Sequence, residues 1–116
     1  MTRTTGMSLA FAAALAISWL AAPTAANALE YRDIAGTWCG ATTNYTFDQR
    51  SLKVYWPSDR TSRTFRITEY VYEDDEITVH WRKDGEVVFT VFGQFEGGNM
   101  VQKRNDNGPR REFHRC

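Results

Sequence analysis

An all-β fold, a small antiparallel meander barrel closed by one disulfide, is what the sequence predicts, on three observations. Turn signals recur at short and even intervals through most of the chain. The runs between them alternate in polarity, and no window of ten or more residues has a helical period. Two cysteines, Cys39 and Cys116, bracket nearly the whole of the segment that would fold.

The first element is not part of the fold. Residues 1–28 have the three parts of a secretory signal: Arg3 supplies positive charge, Met7 to Ala22 is apolar, and Ala26-Asn27-Ala28 has the small-x-small cleavage pattern. Pro23 and small residues follow the apolar run directly, in place of a stop-transfer pattern. The sequence therefore predicts a cleaved signal peptide, a single barrel domain over residues 29–116, a periplasmic or secreted location, and no stable membrane insertion after cleavage. Arg3 is the only charge removed, which leaves 13 basic and 14 acidic residues. Charge so balanced argues against nucleic acid or an anionic membrane surface as the partner.

Seven β-type runs follow: Tyr45 to Phe47, Leu52 to Trp56, Thr64 to Tyr72, Ile77 to Arg82, Val87 to Phe95, Met100 to Lys103 and Arg111 to Arg115. The turns between them are Asp48-Gln49-Arg50, Pro57-Ser58-Asp59, Glu73-Asp74-Asp75-Glu76, Asp84-Gly85, Gly97-Gly98-Asn99 and Asn105 to Pro109. The acidic turn at Glu73 lacks the glycine and the spaced oxygen ligands of a calcium loop, so it reads as a solvated hairpin tip.

The Asp84-Gly85 hairpin can be registered by argument. A two-residue loop pairs Lys83 with Glu86, and the two strands then disagree about which face is apolar. A three-residue loop pairs Trp81 with Val87, Val79 with Phe89 and Ile77 with Val91, making one face wholly apolar. The three-residue loop is the expectation. For the preceding strand, one phase turns Phe65, Ile67 and Val71 inward and Tyr70 and Tyr72 outward. The other turns the tyrosines inward and requires a bulge near Thr68-Glu69. The first phase is the expectation; the second remains open.

A domain this short buries little surface and calls for a staple. In an oxidising compartment Cys39 and Cys116 can pair. Their bridge closes a loop of about 78 residues, worth about 4.5 kcal/mol on the chain-entropy model. In a closed meander the first and last strands are neighbours, so such a bridge locks the seam.

Ile34-Ala35-Gly36-Thr37-Trp38 resembles the Gly-x-Trp opening of lipocalin-like β-barrels, the calycin group. The resemblance implies that Trp38 plugs one end of the barrel and that a late arginine, Arg115 or else Arg111, packs over it. The chain is far shorter than a ligand-carrying lipocalin, so a lipocalin-sized cavity is not implied. Gly-Thr-Trp-Cys-Gly near the start and Arg-Arg-Glu-Phe-His-Arg-Cys at the end are similar to small exported bacterial proteins of unknown function. Small exported barrels that inhibit metalloproteases share the opening and one disulfide, with cysteines closer together in sequence than Cys39 and Cys116.

His80 and His114 have no acid at a catalytic or zinc-site spacing, so neither catalysis nor a metal or other cofactor is expected. Inward aromatics such as Trp38, Trp56, Trp81 and Phe89 read as core, because side chains fill so small a barrel. With Trp81, Val79 and Ile77 inward, the outer face groups Tyr70, Tyr72, His80, Val88 and Phe92. A contiguous aromatic patch of this kind marks a partner surface. The expected function is an exported, non-catalytic module that binds an unknown protein partner or inhibits it through that patch. The alternative is a carrier of a small apolar or aromatic ligand in the barrel mouth, lined by Trp38, Trp56 or Trp81.

Overall fold

The computed structural model describes residues 28–105 and 110–116; the signal segment read over residues 1–28, save its last residue, and the turn residues 106–109 lie outside the described residues. A four-residue helix, α1 (Tyr31–Ile34), precedes eight strands: β1 (Gly36–Gly40), β2 (Asn44–Phe47), β3 (Ser51–Trp56), β4 (Thr61–Tyr72), β5 (Glu76–Lys83), β6 (Glu86–Glu96), β7 (Asn99–Asn105) and β8 (Arg111–Arg115). Each strand pairs antiparallel with the next, and β1 also pairs with β8, so the sheet is a closed barrel. The seven runs read from the sequence are β2 to β8. β1 and α1 are additions, too short to show a period of their own.

The Cys39–Cys116 disulfide is formed, with the two Cα atoms 5.5 Å apart at a sequence separation of 77. Its place is the seam, where Trp38 is opposite Arg115 and Cys39 opposite His114.

The Asp84-Gly85 hairpin departs from the expected register. Lys83 pairs with Glu86, so the loop has two residues, and Trp81 is opposite Val88, Val79 opposite Thr90 and Ile77 opposite Phe92. Asp84 and Gly85 both have positive φ, 52° and 90°. That is the pairing a tight, correctly twisted two-residue turn needs, and Asp-Gly is among the sequences that supply it. The two-residue register puts a polar Thr90 on the inner face, and its hydroxyl is satisfied there: the Trp81 indole N–H donates to Thr90 Oγ1 at 3.1 Å. Phe92 consequently lies in the core, only 1% exposed, and Val88 turns inward beside Trp81. Val87, Phe89 and Val91 move to the face of Thr78 and His80, where Val87 is 50% exposed.

The β4 phase is corrected too. The β4–β5 ladder slips between Ile67 and Glu69, after which Tyr70 pairs with Val79 and Tyr72 with Ile77. Phe65 and Ile67 before the slip, and Tyr70 and Tyr72 after it, thus share the inner face. Without the bulge Glu69 would point into the barrel, an unpaired buried charge. With it, Glu69 is exposed.

One end of the barrel is filled. Ile34 of α1 is fully buried and Trp38 is 2% exposed, with Phe47, Ile77, Phe92, Met100 and Phe113 packed above them. The Trp38 indole N–H donates to the Ile34 carbonyl at 2.8 Å, tying the helix to the strand that follows it. Arg115, the expected arginine, lies with its guanidinium 4.0 Å from the centre of the Trp38 ring and donates to the carbonyls of Ala35 and Asp33. Gly36 sits between them at φ 98°, and a Cβ there would come within 3.0 Å of that guanidinium. Both the backbone angle and the space select glycine.

Candidate functional site

The other end of the barrel is open. Among the described residues three hairpin connections rim it: 41–43, 57–60 and 84–85. Below this rim is a cavity of about 380 Å³, inside the barrel and above the packed plug. Its presence corrects the expectation that side chains fill the interior throughout. The plug aromatics do fill the lower half. Above them the inward positions are taken by Thr43, Thr90 and Gln102, which leave space that larger side chains would close.

Each wall comes from the alternation of its strand. On β3, Val54 and Trp56 face in; on β4, Arg63 and Phe65; on β5, Trp81 and Lys83. Phe65 and Trp81 meet edge to face with ring centres 4.7 Å apart. On the opposite side Tyr45 of β2 stacks on Phe113 of β8 at 4.8 Å. The Tyr45 hydroxyl donates to Gln102 Oε1 at 2.9 Å. Burial pushes the Tyr45 phenol above its ordinary pKa, with Arg111 pulling it partly back, so it remains a neutral donor. The rim carries Arg63, Lys83 and Arg111. Arg63 is paired with Asp84, its neighbour along the rim, and lies 4.7 Å over the Phe65 ring.

Of the residues read from the sequence as mouth-lining, Trp56 and Trp81 are there, both half-buried. Trp38 is not: it plugs the far end. The outer patch does not assemble. Phe92 is core, Val88 faces inward, and Tyr70 and Tyr72 belong to the inner phase at the closed end. There Tyr72 stacks on Tyr70 and Tyr31 meets it edge on. Tyr70 donates to the Asp48 carbonyl. Its pKa is raised, first by burial and then by neighbouring Tyr31, Tyr72 and Asp48. Of the proposed patch His80 keeps the outward face, with its ring 6.3 Å from that of Phe89, and Tyr72, 37% exposed, keeps its solvent exposure at the closed end.

Sequence reasoning missed Gln102, Arg63, Lys83 and Arg111. They stand on four different strands, and only the barrel's closure brings them to one mouth. Among the described residues no group of three or more His, Cys, Asp and Glu converges, and no helix is long and apolar enough to cross a membrane. Comparison with known proteins finds no matching family model, no matching curated protein and no matching solved structure.

Proposed function

We propose that this is an exported, non-catalytic binding protein that holds a small aromatic molecule in the open end of its barrel. The observation that carries the reading is the 380 Å³ cavity walled by Trp56, Phe65, Trp81 and Tyr45. Its size lies at the low end of the roughly 300–1,000 Å³ of small-molecule sites, and such sites pair apolar and aromatic walls with a few placed polar groups. The lipocalin-like opening, with Trp38 beneath Arg115, is in keeping with a barrel that is stoppered at one end and used at the other. The partner-binding reading loses its support, because the surface that motivated it is dispersed between core, cavity wall and closed end.

The test is a titration of the mature protein with a panel of neutral and charged aromatic fragments, followed by two-dimensional amide NMR. Binding fragments are expected to shift the indole N–H signals of Trp56 and Trp81 saturably and leave that of Trp38 in place. Trp81→Ala should weaken a binding fragment by about tenfold, the scale of one lost aromatic contact of 1–2 kcal/mol. No saturable fragment, or shifts confined to the Tyr31–Tyr70–Tyr72 end, would overturn the reading.

A further inference from the structure

We infer that the occupant of the barrel mouth is an anion, an aromatic carboxylate whose acid group is received by Gln102 and Arg111. The inference deepens the ligand reading and rests on it. Two independent observations lead to it.

The first is charge. The whole chain carries 14 basic and 14 acidic residues, yet all three charged residues lining the cavity, Arg63, Lys83 and Arg111, are basic. Arg63 already has its carboxylate in Asp84, an exposed pair. Among the described residues Lys83 and Arg111 form no ion pair. Cations drawn together at a low-dielectric mouth focus a positive potential into it, which favours an anion entering.

The second is a buried donor. Gln102 is only 1% exposed, and its carbonyl oxygen is taken by the Tyr45 hydroxyl. Among the described residues its amide nitrogen donates to nothing, although buried donors are almost always paired. The amide nitrogen carries two N–H groups, so even turned round, with one donating to the Tyr45 oxygen, the side chain keeps an unpaired donor. Gln102 on β7 is directly opposite Arg111 on β8, so both reach the cavity from one wall. What that wall lacks is an acceptor. A carboxylate has acceptor oxygens enough for both groups, and charge-assisted bonds of this kind are the strong ones. A ring attached to it would extend toward Trp56, Phe65 and Trp81 on the facing strands. A neutral aromatic would leave the cations without a counter-charge, and one without an acceptor atom would leave the Gln102 donor unpaired as well.

The experiment is a calorimetric titration at neutral pH and low salt with two probes of the same ring size, 2-naphthoate and 2-naphthalenemethanol. Naphthoate should bind at least tenfold more tightly, the scale of one charge-assisted hydrogen bond. It should also shift the Gln102 side-chain amide signals in the unaltered protein further than the alcohol does, whose neutral oxygen is the weaker acceptor. Arg111→Gln and Gln102→Met should each reduce the preference for naphthoate over the alcohol to about threefold or less. Equal binding of the two probes would overturn the anion inference and leave the aromatic site standing. Naphthoate preference that survives both substitutions, with Gln102 signals unmoved, would overturn the assignment of the receiving residues. If neither probe binds, the anion inference and the ligand reading fall together.

Discussion

Phe92→Ala is expected to destabilise the protein by about 3–5 kcal/mol, the range for removing a large buried aromatic. The ring is 1% exposed and sits edge to face with Phe47 at 5.4 Å and with Tyr45 at 6.0 Å. Its loss leaves a void between the plug and the cavity floor that neighbouring strands cannot collapse to fill, because the ladder holds their spacing. Val87→Ala, on the other face of the same strand and half exposed, should stay within about 0.5 kcal/mol. Urea unfolding of the two variants measures both. A large effect at Val87 with a small one at Phe92 would mean that the hairpin has the three-residue register after all.

The disulfide is the other large contribution. Replacing Cys39 and Cys116 together by serine should cost about 4.5 kcal/mol at a separation of 77 residues. That is a large share of the 5–15 kcal/mol of an ordinary domain. The effect is on the unfolded chain, so the urea dependence should steepen as the uncrosslinked chain expands, and the folded barrel should look the same spectroscopically. Thiol titration of the unaltered protein under denaturant should find none. Two free thiols, or a double variant as stable as the parent, would show that backbone pairing of β1 with β8 holds the seam unaided.

What could be read from the sequence follows from which signals are local. Turn residues and alternation are local, so the meander was legible, and barrel closure followed from Cys39 and Cys116. The plug was legible through the Gly36-Thr37-Trp38 resemblance, which also pointed to Arg115. The β5–β6 register was not. Val87-Val88-Phe89-Thr90-Val91-Phe92 is apolar on both faces, so period-two reasoning has no purchase there, and the turn's own backbone preference decided. The β4 phase turned on one slipped residue, which Glu69's aversion to burial demands but which the Tyr70-Val71-Tyr72 run does not announce. The cavity was hidden for another reason. It is made by what Thr43, Thr90 and Gln102 do not fill, and emptiness has no residue to mark it.

The plug of Ile34, Trp38 and Arg115 makes the barrel a blind tube. Whatever enters the mouth must leave by it, and the sealed seam offers no side exit. A second molecule cannot push the first one through. For the proposed ligand, exchange would then be dissociative, with a departure rate independent of how much competitor waits outside.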